Sequence, residues 1–442
     1  MIRQSVWAGL VCGLLCTPVA AQSREEKVRS DRQRVEADGF WIYNDLARGM
    51  DEARRTGKPL LVVLRCVPCE ECVKLDEEVL QNDRELRPLL EKFVRVRVVS
   101  TNGLDLRLFQ FDTDQSYAAF LLNADGTIYG RFGTRSHRTA WEDDVSMAGF
   151  SRALEGALEL HARYPANRRE LAAKTGPPPE VKSPEQFPRL KERYGSHLDY
   201  AGNVVKSCIH CHQIGDALRQ SYRDKKEQIP EQVLFSYPHP KSLGLILDPR
   251  ERATVTRVEP DTPAASAGFE PGDKILSLAG QSVLSLADVQ WVLHHTEAQG
   301  AELAAQVERG SERKSIVWKL PAVWRRRDDL SWRASSWELR RMALGGLLLR
   351  NADAEERSAQ GVDAQGMALF VEHVGQYAPH DIAKRAGVLA GDLIVAFDGK
   401  TNLRRETDLM TYALTERQVG DEVSVTIVRK GRKQKLSFQM QP

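Results

Sequence analysis

Two clusters of sulfur and nitrogen donors carry the reactive chemistry of this sequence. The first is Cys66-Val67-Pro68-Cys69-Glu70-Glu71-Cys72, in which two Cys-x-x-Cys pairs overlap at Cys69. A thiol pair at that spacing exchanges disulfides when one thiolate is stabilised, and the dipole of a helix N-terminus supplies that stabilisation. Glu70 and Glu71 oppose thiolate formation by like charge, so a structural disulfide or a metal held by three thiols stays open here. The second cluster is Ser207-Cys208-Ile209-His210-Cys211-His212. Two thiols two residues apart with an imidazole directly after them suit a covalently held prosthetic group, a tetrahedral metal or a plain disulfide.

The compartment decides among these chemistries. Arg3, the apolar stretch Val6–Cys16 and the small residues Val19-Ala20-Ala21 follow the order of a secretory signal peptide over residues 1–21. The mature chain then starts near Gln22, loses Cys12 and Cys16, and keeps five of its seven cysteines, all in the two clusters. That is too few for a small disulfide scaffold. A periplasmic or extracellular location is expected. The 63 basic and 61 acidic residues nearly cancel, which argues against a nucleic-acid partner. No apolar run of the mature chain reaches the roughly 20 residues that span a bilayer. With 442 residues, the chain is long enough for several domains and apolar enough to pack them.

The elements around the clusters are legible from periodicity. Residues 22–39 are dense in charge and read as a frayed helix or a flexible arm. From Phe40 to Pro165 the pattern is that of a compact α/β domain. Leu46, Met50 and Ala53 form a helical stripe that Gly57 ends. Pro59–Leu64 is a strand buried on both faces, Phe93–Val99 is a second, and Ala118–Leu122 and Thr127–Phe132 form a hairpin through Asn123-Ala124-Asp125-Gly126. A helix from Ala153 to about Tyr164 closes the domain. Gly176-Pro177-Pro178-Pro179 has linker chemistry, so residues 166–229 read as a linker and a short helical segment around the second cluster.

The remainder is an internal repeat. Ala267-Gly268-Phe269-Glu270-Pro271-Gly272-Asp273-Lys274-Ile275-Leu276 matches Ala386-Gly387-Val388-Leu389-Ala390-Gly391-Asp392-Leu393-Ile394-Val395, and the register holds through Gly280-Gln281 and Gly399-Lys400. Two copies of one domain follow, over 230–322 and 323–442. Each resembles the bacterial kind of PDZ domain. The resemblance implies a carboxylate-binding loop before the first strand, Leu243-Gly244-Leu245-Ile246 in one copy and Gly345-Gly346-Leu347-Leu348 in the other. Glycine there lets successive N–H groups converge on a terminal carboxylate, and the next strand offers an edge to protein C-termini or extended peptides. The bland alternative is a degenerate second copy whose groove is covered by the inserted stretch Asn351–Gly366. Exported proteins with such pairs are often trypsin-like proteases, but no Gly-x-Ser-x-Gly element or comparable nucleophile setting occurs here.

Residues Phe40 to about Gly133 resemble the thioredoxin superfamily. In that fold about ten residues separate the proline that opens the strand from the attacking cysteine. The resemblance therefore implies Cys69 as nucleophile and Cys72 as resolving thiol, with Cys66 placed to form an alternative disulfide. The superfamily's cis-proline position falls at Ser116-Tyr117, where no proline stands.

Cys208, Cys211 and His212 are the pattern of covalent c-type haem attachment, thiols to the vinyl groups and imidazole to iron. Export matters, because that attachment happens outside the cytoplasm. His239 and His197 are the two candidates for the second axial position. The segment resembles the abbreviated haem segments beside PDZ domains in magnetosome redox proteins. Zinc on Cys208, Cys211 and either His212 or another histidine is the competing site. Trp324, Trp332 and Trp337 among Arg325-Arg326-Arg327 read as interdomain packing, since Asp328, Asp329 and Glu338 interrupt the basic run.

The expected architecture is multidomain α/β plus mainly-β: a thioredoxin-like domain, a short Cys-x-x-Cys-His helical segment and two PDZ domains. The function expected is an extracytoplasmic redox protein with haem c, PDZ-docked protein tails and a redox partner protein. The alternative is a non-catalytic peptide-binding scaffold whose cysteines are structural or bind zinc.

Overall fold

A computed structural model describes residues 23–65, 86–115, 117–134 and 145–442. Cys66, Cys69 and Cys72 lie outside the described residues, as do residues 1–22 and Ser116. Among the described residues no helix is long and apolar enough to cross a membrane.

The N-terminal α/β domain is a five-stranded sheet. Its strands are β1 (Ile42–Tyr43), β2 (Leu60–Leu64), β3 (Val94–Val98), β4 (Tyr117–Leu122) and β5 (Ile128–Thr134), in the order β1-β3-β2-β4-β5. β1 and β2 run parallel to β3, whereas β4 is antiparallel to β2 and β5 to β4. Every residue of β2 and β4 is buried, as their unbroken apolar runs require for central strands. The helix Leu46–Thr56 ends at Gly57, and the helix Met147–Ala162 starts six residues earlier than Ala153 because Ser146 caps it by accepting from Gly149 N–H.

Of the two readings of the charged N-terminal stretch, the helix is the one found. Arg24–Asp38 is one helix with a Ser23–Glu26 capping box, and Val28, Asp31 and Val35 turn one narrow face inward. That face lacked an apolar period because its middle residue is a carboxylate, buried against Arg65 at 3.2 Å. Glu25 accepts from Val204 and Val205 N–H at 3.2 and 2.8 Å, and Arg29 donates to the Tyr200 and Gly202 carbonyls. The helix is thereby fastened to the segment that precedes the second cysteine cluster.

The repeat is a pair of antiparallel domains. The first contains β6 (Leu245–Leu247), β7 (Val255–Val258), β8 (Lys274–Leu278), β9 (Gln281–Ser282), β10 (Ala301–Arg309) and β11 (Glu312–Leu320), with the helix Leu286–His294. The second contains β12 (Leu347–Asn351), β13 (Leu369–Val374), β14 (Leu393–Phe397), β15 (Glu422–Arg429) and β16 (Arg432–Gln439), with the helix Glu406–Glu416. The matched Gly-Asp pairs have one physical job. Gly272 and Gly391 take φ of 93° and 89°, a region that favours glycine. The next residues, Asp273 and Asp392, each accept a backbone N–H three residues upstream and a guanidinium, Arg309 or Arg429, that also donates to Gly268 or Gly387 O. Burial alone would raise the Asp273 carboxyl, but the Arg309 guanidinium outweighs it and holds the group below its usual range.

The first repeat is welded to the N-terminal sheet. Its helix Leu286–His294 lies against β5: Asp288 accepts from Arg131 N–H at 3.2 Å and pairs with the buried Lys174 at 3.1 Å. The Arg131 guanidinium stacks 3.6 Å from the Trp291 ring centroid and donates to the Lys174 and Gln110 carbonyls.

Candidate functional site

Cys208 is buried and Cys211 half-buried. Cys211 opens the helix Cys211–Asp224, with His210 as its N-cap. Gln213 returns its side chain to His210 N–H at 2.8 Å, which fixes the turn between the two thiols. His212 stacks on His210, ring centroids 5.7 Å apart and planes within 7°. Burial, with the neighbouring His212 adding to it, pushes the His210 imidazole down to about 4, so it stays neutral at neutral pH.

The loop after β3 holds this motif in place. Thr101 donates twice to Ile209 O, from its N–H at 3.2 Å and its hydroxyl at 2.9 Å. The Asn102 side chain accepts from Ile209 N–H at 2.8 Å and donates to Ser207 O and Gly195 O at 2.9 and 2.7 Å. Ile209, Ile214 and Ala217 pack into the same apolar cluster as Val62, Leu64 and Val96 of the sheet. The second cysteine cluster is thus docked at the C-terminal ends of β2 and β3. There Leu64 pairs with Val98, and Arg65 N–H donates to Val98 O. The chain continues from Arg65 into Cys66.

The two histidines proposed beside this motif part company. His197 is exposed and hydrogen-bonded to Ser196 at 2.9 Å, two residues from the Gly195 carbonyl that Asn102 grips. Asp199 N–H donates to the Ser207 hydroxyl at 2.8 Å, so the His197 strand of chain runs alongside the motif. His239 is buried in the first repeat, accepting from Lys241 N–H at 3.1 Å, in a cleft walled by Phe132 and Gly133 of β5. β5 is three strand spacings from β3, about 14 Å of sheet, so the structure does not bring His239 to Cys208 and Cys211.

Residues 166–229 are packed, not a free linker. Arg219, on the helix that starts at Cys211, donates to Asp114 at 3.1 Å and to the Ser335 hydroxyl at 2.7 Å. Arg333 donates to Asp112 and Asp114 at 3.2 and 3.0 Å and to Ser236 O at 2.6 Å. Burial would raise the Asp114 carboxyl, but Arg219 and Arg333 outweigh it and hold the group low. Gly215 is required where this helix crosses the loop, since a Cβ there would come within 2.6 Å of the Thr113 hydroxyl. None of this network is visible in the sequence: its bonds join residues between 97 and 221 positions apart, and isolated Asp and Arg residues carry no periodicity.

The two carboxylate-binding loops also differ. Leu243 and Leu245 are buried and Ile246 half-buried, and β6 pairs with β7 on one edge while its other edge pairs with no strand among the described residues. In the second copy Gly346 N–H donates to Arg340 O at 3.0 Å, just as Gly244 N–H donates to Lys241 O in the first. Glu406, first residue of the groove helix, accepts Leu349 N–H of β12 at 2.8 Å and pairs with Arg340 through both carboxylate oxygens at 2.9 and 2.7 Å. Leu347 lies in the core and Leu348 is half-buried. A side chain therefore occupies the donor on β12 that an added strand would use. The inserted stretch Asn351–Gly366 does not cover this groove. It leaves the opposite end of β12, and Arg357 closes it on itself through the Asp363, Gly366 and Ala368 carbonyls.

The tryptophan–arginine stretch is mortar between domains. Trp324 and Trp332 are buried, and Arg325 donates to the Phe235, Leu293, His294 and Thr296 carbonyls. Trp337 is exposed and lies edge-on to His373 and His380.

A Thioredoxin-like family model matches residues 41–124, and a PDZ domain model matches residues 217–320 and 365–440. The chain is 27% identical over 190 residues to "Probable periplasmic serine endoprotease DegP-like" of Pseudomonas fluorescens, a match covering 42% of this chain and 37% of that protein. It is 28% identical over 149 residues to "Probable periplasmic serine protease do/HhoA-like" of Haemophilus influenzae, covering 34% and 28%. The chain thus spans well under half the length of these curated relatives. A solved HtrA-type protease, AlgW with decapeptide, is 15% identical with a TM-score of 0.20, over 32% of this chain and 49% of that one, too distant to add to the sequence matches. The chain carries a thioredoxin-like domain and, after it, PDZ domains.

Proposed function

We propose that the chain is an exported redox protein combining three parts. Cys69 and Cys72, with Cys66 beside them, form a thioredoxin-like dithiol. Cys208, Cys211 and His212 hold a c-type haem, and PDZ binding of protein tails brings partners to both. The observation that carries the reading is the docking of the Cys208–His212 segment by Thr101 and Asn102 onto the end of the sheet where β2 leads into Cys66. Periplasmic relatives support export.

The residues present fit the haem. The two thiols stand either side of a fixed N-cap turn, and the adjacent imidazole is half-buried. Zinc on Cys208, Cys211 and a histidine stays the alternative occupant of the same residues. A bound haem would supply one-electron transfer. The protein's part is to exclude water around Cys208, to hold His212 on the first turn of a helix, and to place His197 beside the motif.

Expression of the full chain with c-type maturation enzymes tests the proposal. The product is expected to be red, with a Soret band that survives denaturation and is lost in Cys208→Ala/Cys211→Ala. A colourless product removes the haem. Insulin reduction that persists unchanged in Cys69→Ser removes Cys69 as nucleophile.

A further inference from the structure

The two PDZ copies can be laid on each other bond by bond. Gly244 and Gly346 take φ of 86° and 90°, and each carbonyl accepts one N–H, from Glu259 or Gly375, at 2.9 Å. Past each glycine a shift of register brings Leu247 of β6 and Leu349 of β12 to matching places. On the facing wall, Asp288 accepts Leu284 N–H and Asp408 accepts Arg404 N–H, both at 3.0 Å. That register makes Leu286 and Glu406 counterparts, each the first residue of the helix bordering its groove.

At this one pair of positions the copies part. Leu286 is half-buried and shares the wall of a cleft of about 660 Å³ with Ile246 and Leu247. Its alkyl chain offers the Leu247 N–H no acceptor. Glu406 is buried and accepts Leu349 N–H at 2.8 Å. Arg340, buried beside it, holds the charge in place through both carboxylate oxygens and donates to the Ser336 hydroxyl at 2.8 Å. Arg340 belongs to the helix Ser336–Leu344, from which the chain enters the second loop, whereas it enters the first from the single turn Pro240–Leu243. A strand added to a sheet pairs with the outward N–H groups of the edge it joins. On β12 it must first pull Glu406 away from Leu349 and disturb a buried ion pair that has few other partners. On β6 it meets no such competitor.

We propose that Glu406 is a built-in ligand of the second PDZ copy, so that each chain takes one protein tail, a free C-terminus paired with β6 of the first copy. The proposal rests on the tail-binding reading above and makes Leu286 and Glu406 the residues that decide which copy is open. The second copy keeps its fold and its packing on the helix Ser336–Leu344 but takes no tail.

The probe is obtained by selection on the full-length protein from decapeptides with free carboxylates and randomised final residues, and the best binder is labelled with fluorescein. Its titration by anisotropy is expected to saturate at one peptide per chain. Leu286→Glu gives the first copy the residue of the second and should weaken binding at least about tenfold, the worth of one displaced strand hydrogen bond. A fresh selection on Leu286→Glu should yield no carboxylate-dependent binder. Adding Arg340→Met and Glu406→Leu removes both buried charges together and strands neither, and selection on that triple variant should yield tails again. Urea midpoints verify that each variant folds, and if the triple variant does not, the parent's stoichiometry and the Leu286→Glu arms decide. Two peptides per parent chain, or binding that Leu286→Glu leaves unchanged, overturns the closed second copy and leaves tail binding standing. A folded triple variant that selects no tails overturns Glu406 as the cause. A parent protein that selects no carboxylate-dependent peptide overturns the tail-binding reading itself, and this inference with it.

Discussion

Asp216 shows how a single side chain on the cysteine-bearing helix comes to matter for pH. Its nearest guanidinium, Arg219 at 3.4 Å, is shared with Asp114 at 3.1 Å, and Arg333 is already committed to Asp112 and Asp114. Three carboxylates face two guanidiniums, and Asp216 is the one left short. Burial pushes it up to about 7, the charges of Asp114 and Glu338 add to this, and Arg219 and Arg189 oppose it. The folded protein therefore retains a proton that the unfolded chain releases near the ordinary carboxylate value of about 4. Stability from this group is fully present below about pH 4, declines as the pH rises toward 7, and is flat above that. Asp216→Asn mimics the protonated form. Urea midpoints measured across this window should fall with rising pH in the parent and lose most of that slope in the variant. An undiminished slope in the variant assigns the dependence to another group.

At the scale of elements, legibility follows how local the determinants are. β2 and the β4–β5 hairpin can be read from the sequence because unbroken apolar runs and the Asn123–Gly126 turn specify them within a few residues. The repeat is equally plain, since its Gly-Asp pairs do one structural job twice. The helix Arg24–Asp38 is hidden because its inward face depends on Asp31 meeting Arg65. The docking of the second cysteine cluster is hidden because it depends on Asn102, a polar residue more than 90 positions from the three backbone groups it docks. The Cys208 and Cys211 pair is thus visible in the sequence, but its position at the end of the sheet is not. Asn102→Ala leaves Ile209 N–H, Ser207 O and Gly195 O without that partner, a penalty of about 1–3 kcal/mol for buried groups. The loss falls on the docking of residues 207–213 and not on the sheet. Hydrogen exchange should report it as roughly tenfold or more acceleration at those amides, with β2 and β4 unchanged. Equal acceleration throughout the domain would mean that Asn102 supports the fold at large.

At the scale of the whole chain, the joint is Arg333. Its guanidinium reaches Asp112 and Asp114 after the N-terminal sheet's third strand, and Ser236 at the entry to the first PDZ copy. Asp114 in turn holds Ser335, ahead of the first strand of the second copy, and Arg219 on the cysteine-bearing helix. Four segments meet on one fully buried ion cluster. Removing one partner from such a cluster leaves uncompensated buried charge, at a cost of about 3–5 kcal/mol. A contact between two units would loosen only those two when cut. Arg333→Ala is instead expected to accelerate exchange together at 112–115, 219–224 and 234–237, while amides inside β10 and β15 keep their protection. The Asp114→Asn/Arg333→Ala double variant should recover part of the loss, because the neutralised partner no longer pays for its burial alone. Additive losses in that double variant, or loosening confined to residues 112–115, would mean that the domains are held by their apolar faces and that the ion cluster merely fills the space between them.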